Sequence, residues 1–358
     1  MADERIDDAR PTLFLDGKED QELRQGMLAL TIAETTDGLF NAEMSFGNQG
    51  SQGKGVDFLY FDRQKFDFGK SLRVELKGDP LFEGRITGLE ARFPSASPPE
   101  LVVLAEDALQ DLRMVRRTRT FENQSDADVF NAIADEHGMG KNVTLSGGQY
   151  KVLAQLNQSD LAFLRERARA IEAELWVSVQ NGKATLNAKA RSDRGKSPSV
   201  KLGWRNELTE FRVVADLAGQ RTSVVASGWD VAAKSGVKYE ATDSDLGGEL
   251  GATDSGASIL KQKFGERKES VAHGVPWTQA EAEARAKAYF KMEARRFIVG
   301  HGVARTTGKL RVGTLLDLDG LGPLFNGSYY LASVRHRFDG ARGLRTEFSA
   351  ERAGLGRP

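Results

Sequence analysis

Four histidines, at positions 137, 273, 301 and 336, are the side chains best suited to holding a metal or moving a proton near neutral pH. None sits in a His-Glu-x-x-His or His-x-His arrangement, so zinc-hydrolase spacing is absent. Spacing leaves open a site assembled from distant parts of the chain, but each imidazole reads as a structural or surface residue. His137, just before Gly138, marks a helix end, where the dipole favours a protonated ring. Asp317-Leu318-Asp319-Gly320 has a fragment of a calcium loop without its third oxygen ligand or closing Glu, and reads as a strand-ending turn. Gly247-Gly248-Glu249-Leu250-Gly251 has no strand running into it and no helix starting on it, so it reads as a linker. Neither a phosphate-binding Gly-x-x-x-x-Gly-Lys-Ser/Thr loop nor a Gly-x-Ser-x-Gly elbow occurs. Glu166, Glu172 and Glu174 interleave with Arg165, Arg167 and Arg169 on one expected helix, the pattern of a solvated face rather than of an acid–base pair. Arg113, Arg116, Arg117 and Arg119 are the candidate anion patch. With only Phe121 near enough to stack a base, they read as an exposed strand or loop joining two domains. No catalytic, cofactor-binding or metal-ligating residue is assigned, no cofactor is expected, and the chain is expected not to be an enzyme.

The chain that must carry any such groups has 358 residues, enough for two or three domains. Lys and Arg number 50 against 51 Asp and Glu, a net charge of -1, which disfavours wholesale binding to phosphate backbones. The absence of cysteine excludes disulfides, thiol nucleophiles and Cys-ligated zinc or iron–sulfur clusters. No apolar run reaches the ~18–20 residues of a membrane span, and residues 1–8 are too charged for a secretory signal, so a soluble product is expected.

Short strands with turn punctuation fill residues 11–105. Apolar side chains at 40, 42, 44 and 46 alternate as one buried sheet face requires, and 13–15, 27–32, 71–76, 81–87 and 101–104 add further strands. Lys77-Gly78-Asp79-Pro80 is an expected turn and residues 47–55 a flexible loop. So many strands in so few residues imply a small antiparallel barrel or sandwich. Helices follow. One spans 126–134, with Val129, Phe130, Ile133 and Ala134 on one face. Another starts at the N-cap Ser159, with Leu161, Leu164, Ala168, Ile171 and Leu175 recurring at three and four. Asn181-Gly182, between 175–179 and 184–188, is the strongest hairpin signal in the chain. Strands resume at 208–214 and 221–229; residues 241–258 read as a long loop; and Thr278 to Glu281 has capping-box spacing for a helix with Ala282, Ala286, Tyr289, Phe290 and Ala294 on its apolar side. Strands at 296–305, 309–318, 328–338 and 344–350 close the chain. The domains expected are a first β-barrel over 1–106, an α/β insertion over 107–205, a second β-barrel from 206–232 and 296–358, and an insertion with a long loop and a helix over 233–295. The two ends of the chain are alike in kind, without a residue-level repeat.

Residues 155–168, with Ser159-Asp160, Phe163-Leu164 and Arg165-Glu166-Arg167, resemble the x-Ser-Asp-x-x-Phe-Leu-x-Arg helix of the phage late control D family of contractile-tail baseplate hubs, and the related hub part of type VI secretion valine-glycine repeat spike proteins. Residues 119–126 leading to 133–139, the alanine-rich 281–297 with Gly300-His301-Gly302, and the closing pair 327–338 and 344–352 resemble further family elements in family order. The likeness spans roughly 115–352; the first hundred residues agree only in strand-rich character. It implies an α+β, mainly β fold: two tube-protein-like antiparallel β-barrels with an inserted α/β domain. It further implies a homotrimer whose six similar barrel faces join a sixfold inner tube to a threefold spike. The expected function is a structural baseplate hub of a contractile injection system or phage tail. The expected partners are the inner tube protein, a spike protein encoded separately (fused family members continue past the point matching Pro358) and other baseplate proteins, with no membrane insertion and no specific nucleic acid. The chain would be cytoplasmic during assembly and then part of a virion or injection-system baseplate. A cell-wall-degrading tail enzyme, which would need a carboxylate pair in a cleft, or a host- or carbohydrate-binding module are the alternatives.

Overall fold

A computed structural model describes residues 10–52, 55–180, 182–195, 198–249, 251–271 and 274–357. The first part of the chain forms β1 (Thr12–Leu15), β2 (Lys18–Glu19), α1 (Gln21–Gly26), β3 (Met27–Thr35), β4 (Asn41–Gly47), the small ribbon β5 (Gly50–Gln52) and β6 (Gly55–Asp57), then β7 (Ser71–Leu76), β8 (Asp79–Arg92) and β9 (Glu100–Glu106). Alternation works as expected in β4, where Ala42, Met44 and Phe46 are buried between exposed or half-buried neighbours. Lys77 (φ 52°) and Gly78 (φ 88°) make the turn between β7 and β8, both with the positive φ of a type I′ hairpin; Asp79 and Pro80 already belong to β8. The expected flexible loop at 47–55 instead includes β5 and the start of β6, with Gly53 and Lys54 outside the described residues. Helix α1 was not expected. Asp20 caps it by accepting from the Leu23 N–H.

A second unit holds α2 (Gln110–Arg113), β10 (Arg116–Gln124), α3 (Asp126–Glu136), β11 (Gly140–Thr144), β12 (Tyr150–Ser159), α4 (Asp160–Ala170), β13 (Ala173–Gln180), β14 (Lys183–Ala190) and α5 (Arg191–Arg194). Ser125 and Asp128 form a full capping box on α3, and Ser159 caps α4 through the Ala162 N–H. Strands β10 and β12 pair as a ribbon beside the sheet β11-β14-β13. Val129, Phe130 and Ile133 of α3 meet Leu161, Phe163 and Leu164 of α4 in one apolar cluster with Leu175 and Leu186. Helix α4 ends earlier than its apolar spacing implies: Glu172 takes φ 61°, and Leu175 lies in β13. Gly182 has φ 73° in the hairpin turn, while Asn181 lies outside the described residues.

The remainder runs β15 (Val200–Gly203), β16 (Leu208–Ala215), β17 (Ser223–Asp230), β18 (Ser235–Thr242), a 3₁₀ segment (Asp243–Glu249), β19 (Asp254–Ser255), α6 (Gly256–Phe264), β20 (Lys268–Val271), α7 (Gln279–Arg295), β21 (Ile298–Arg305), β22 (Leu315–Asp319), β23 (Gly327–Asp339), β24 (Gly343–Arg352) and β25 (Gly354–Leu355). Thr278 caps α7, whose Ala286, Phe290 and Ala294 pack on the sheet β18-β17-β20. That sheet corrects one expectation: β17, expected in the second barrel, pairs with β18 and β20 instead, because its apolar Val224 and Ala226 are claimed by α7. The long loop expected over 241–258 is also corrected. The end of β18, a 3₁₀ segment anchored by buried Leu246, β19 and the Ser255-capped start of α6 occupy it, with Leu250 outside the described residues. Residues 309–314 are turn rather than strand.

The fold is α+β and mainly β, and its largest sheet joins both ends of the chain. Thirteen strands run β16-β21-β24-β23-β3-β4-β9-β8-β7-β1-β2, with β22 pairing β23 and β15. Five strands of each half repeat one another. The first half has the order β3-β4-β9-β8-β7 and the second β16-β21-β24-β23-β22, the same connectivity in chain order, antiparallel throughout. The register agrees residue by residue. Between β8 and β9 the pairing shifts between Ile86 and Gly88, and between β23 and β24 it shifts between Leu331 and Ser333. The shift between Met27 and Ala29 in β3 matches that between Leu208 and Glu210 in β16. Bulges are position-specific devices, so their recurrence aligns the halves closely. Gly69 (φ 80°) donates to the Ile86 carbonyl as Gly313 (φ 93°) donates to that of Leu331, at 2.8 and 3.0 Å. In this alignment Ala105-Glu106-x-Ala108 falls on Ala350-Glu351-x-Ala353, and Arg92-Phe93 on Arg337-Phe338, a short residue-level repeat that the sequence alone did not disclose. The sixth strand differs: β1 is antiparallel to β7, whereas β15 is parallel to β22.

Candidate functional site: the sheet edges and the groups that frame them

The side chains with chemical potential are mostly spent on holding units together. His137 ends α3, and its Nε2 lies 2.9 Å from Asp160 Oδ2. Asp160, of the Ser-Asp pair that begins α4, is buried and accepts from Arg119 Nη2 at 2.8 Å and Gln155 Nε2 at 2.9 Å. Burial pushes its carboxyl up, but the hydrogen bonds from His137 and Gln155 and the charges of Arg119 and Arg117 outweigh that and hold it below the usual range. The arginine run is divided between elements: Arg113 ends α2 and pairs with Glu106, while half-buried Arg117 and Arg119 of β10 share Glu136. His301 is exposed on β21 and His273 lies outside the described residues. Asp319 accepts from the Gly320 N–H at the end of β22, as a strand-ending turn should. Among the described residues, no three His, Asp or Glu side chains converge as metal ligands.

The expected solvated carboxylate face is overturned. Because α4 stops before Glu172, two of the three carboxylates leave it. Glu172 pairs with Arg295 and Lys291 of α7, and buried Glu174 pairs with Arg194 at 2.9 Å while the Tyr330 hydroxyl donates to it at 2.5 Å. On α4 itself, Arg167 meets buried Asp126, and Arg165 donates to the carbonyls of Asp37 and Gly38 in the β3–β4 turn. Gly38 (φ 67°) also lets the turn approach β13, since a Cβ there would sit 2.6 Å from the Leu175 carbonyl oxygen. These contacts fix the α/β unit against both halves of the large sheet.

Three groups at and beside the junction of the halves carried no signal in residue spacing. Asp107 is buried, accepts from the Phe40 and Leu109 N–H groups at 2.9 Å each, and burial pushes its carboxyl up to about 7. Glu34 of β3 is buried, paired with Arg311 and accepts from the Val312 N–H. His336 of β23 faces Ile32 across the junction and hydrogen-bonds Thr346; burial, and then the Arg311 charge, hold its ring down to about 3, so it is neutral.

That junction is where the halves meet. Residues 333–339 of β23 pair antiparallel with β3, with Phe338 opposite Leu30 and Ser333 opposite Thr35. The equivalent edges of the other two strands have no strand partner among the described residues. β8 uses residues 79–85 against β7 and 85–92 against β9, leaving the β7-side edge of 88–92 open; β16 pairs only with β21. Exposure follows. Phe338 is 1% exposed and its counterpart Phe93 65%. Leu30 and Ile32 are fully buried, while their counterparts Phe211 and Val213 are half-buried and the adjacent Val214 is exposed. The candidate site is therefore a pair of open sheet edges of known shape.

Residues 19–339 match the family model described as the Alg8 N-terminal domain. The chain belongs to that family. No curated protein matches its sequence. Among solved structures, the fold is similar to a 43 kDa tail protein of prophage MuSo2 from Shewanella oneidensis, at 16% identity and a TM-score of 0.67, covering 96% of this chain and 98% of that one. It is similar to a tail protein from Neisseria meningitidis (13% identity, TM-score 0.65, 97% of each chain). It is also similar to the E. coli c3393 protein, a component of the type VI secretion system (13% identity, TM-score 0.60, 97% of this chain and 79% of that one). Likeness at these identities establishes a common fold: this member of the Alg8 N-terminal domain family has the fold of tail proteins. Among the described residues no helix is long and apolar enough to cross a membrane.

Proposed function

We propose that the chain is a structural baseplate hub of a contractile injection system or phage tail, related to the late control D hubs. It would act as a homotrimer that adapts a sixfold inner tube to a threefold spike. The observation that carries this reading is the internal repeat: five strands with one order, two matching bulges and one register occur twice in a single chain. Three copies then offer six equivalent sheet units, the number a sixfold tube presents, while their other surfaces keep threefold symmetry. The fold shared with tail proteins supports the same reading. In it the segments expected from the sequence, with β17 moved from the second barrel to the second insertion, act as two barrels with an α/β insertion and a second insertion. The work is load transfer, without bond chemistry. The partners are the tube protein, a spike protein and other baseplate proteins, and the chain passes from the cytoplasm into the finished particle.

The test is the mass of the purified chain by light scattering, alone and mixed with a purified tail tube protein. A threefold mass that caps the tube is the expected result. A chain that stays monomeric in the mixture refutes the hub.

A further inference from the structure

We propose that the cavity lined by Arg352 binds a small oxyanion, a carboxylate or phosphate group, as the counter-charge that this buried arginine lacks within the chain. The site goes beyond the hub reading and stands without it.

Arg352 is the variable residue of Ala350-Glu351-x-Ala353, and its counterpart in the first half is Asp107. Both are buried, at 3% and 4% exposure, and both bond to backbone. Asp107 accepts from two N–H groups, whereas Arg352 donates to the carbonyls of Asn326 and Leu324 at 2.8 and 2.9 Å and lies over the Tyr329 ring. The two differ in how the charge is answered. Asp107, its carboxyl pushed up to about 7, sheds its charge by taking a proton. An arginine keeps its charge throughout the working pH range. Among the described residues no carboxylate pairs with Arg352, and its Nε–H has no acceptor. A buried charge left in this way is costly, and a guanidinium fork fits carboxylate and phosphate oxygens best. Arg352 lines a cavity of about 450 Å³ where α5, the 3₁₀ segment, α7, β23 and β24 meet. Sites of this kind, at the meeting of separate units, are where small ligands usually bind. The other charges on the wall are matched inside the chain. Arg191 pairs with Glu351 at 2.7 Å, and Lys291 and Arg295 share Glu172 and Glu249. Asp245 accepts from the Thr242 N–H and the Tyr239 hydroxyl and faces Lys287. Arg352 is therefore the unanswered charge. Gly247 and Gly248, of the run read from the sequence as a linker, add bare backbone to the wall; a Cβ at either would meet nothing within 4 Å.

The test is thermal melting of the full chain near neutral pH, with sodium phosphate or sodium acetate titrated against sodium chloride at constant ionic strength. A saturable rise in Tm of about 3 °C over chloride is the expected result. A rise with phosphate alone assigns a phosphate group, with acetate alone a carboxylate, and with both a site open to either. Arg352→Leu is expected to abolish the rise, and Arg342→Gln, on the exposed turn between β23 and β24, to keep it. Gly248→Asp reads the same site without touching the buried arginine. It sets a carboxylate on the cavity wall free of clashes, and should raise the half-saturating concentration about tenfold while leaving the melt in chloride unchanged. A Tm no higher in phosphate and acetate than in chloride overturns the proposal, as does a rise that climbs without saturating, the mark of general salt exclusion. A saturable rise that survives Arg352→Leu, or whose midpoint Gly248→Asp does not move, overturns it too.

Discussion

The junction inside the chain and the open edges outside it share strand order and register, yet they are built from different residues. At the internal junction the core face of β3 and β23 carries Glu34, His336 and Phe338, all buried, with Arg311 and Thr346 answering the polar groups. At the matching positions of the open edges stand Ala215, Ala91 and Phe93. Buried polar groups that must find their partners favour one pairing over others, and this junction has one partner only, its own chain. At these matching positions the open edges carry side chains that need no polar partner. One strand plan thus serves a paired edge and an unpaired one by changing a few side chains.

The contrast is sharpest at the two phenylalanines. Phe338→Ala should cost about 3–5 kcal/mol of stability, the range for a fully buried aromatic, whereas Phe93→Ala, which gives up only ring contacts with Phe58 and Phe61, should cost about 1 kcal/mol. Urea denaturation of the monomer checks both, and equal effects would erase the distinction. Next comes Glu34→Ala, which strips the Val312 N–H and Arg311 of their acceptor and should cost about 1–3 kcal/mol; Ala215→Glu, at the equivalent exposed position, should leave the monomer unaltered.

The pH dependence separates the junctions too. His336 titrates near 3 in the folded chain against 6.5 when unfolded, so below 6.5 only the unfolded chain takes up that proton. Stability should fall as pH drops from 6.5 towards 3, by up to about 1.4 kcal/mol per pH unit. Asp107 acts with the opposite sign: it is protonated to about 7 when folded against 3.8 unfolded, so its contribution is lost as pH rises through that window. Comparing wild type with His336→Gln across pH 4–7 isolates the histidine, because Asp107 is common to both. A last contrast is expected at the paired glycines. Gly69→Ala meets no neighbour and should cost about 1 kcal/mol for its left-handed backbone, while Gly313→Ala should cost more, because its Cβ would lie 2.3 Å from Arg194 Nε. Thermal melts of the two variants order them.

Much of this was legible in the residues. Ser159 and Thr278 announced their helices because capping is local chemistry, and alternation in β4 exposed a sheet face. Helix α1 escaped because six residues with one buried side chain, Leu23, carry no periodicity. Alternation could not say that β17 belongs with β18 and β20, since it marks a strand and not its partner. The repeat was hidden for a related reason. Register and bulges are backbone properties that many side chains satisfy, and only Ala-Glu-x-Ala and Arg-Phe survive as a trace. The ion pairs of Glu172, Glu174 and Glu34 join residues far apart in sequence, where no spacing rule reaches.

The pairing of β3 with β23 ties the beginning of the polypeptide to its end. On the ribosome, β3 is made early and waits for a partner translated almost last, so the first half emerges with Leu30 and Ile32 uncovered on one flank. Neighbouring nascent chains on one message offer each other the same vacant flank, and a holding chaperone or slow spacing of ribosomes would favour the correct mate over a domain-swapped one.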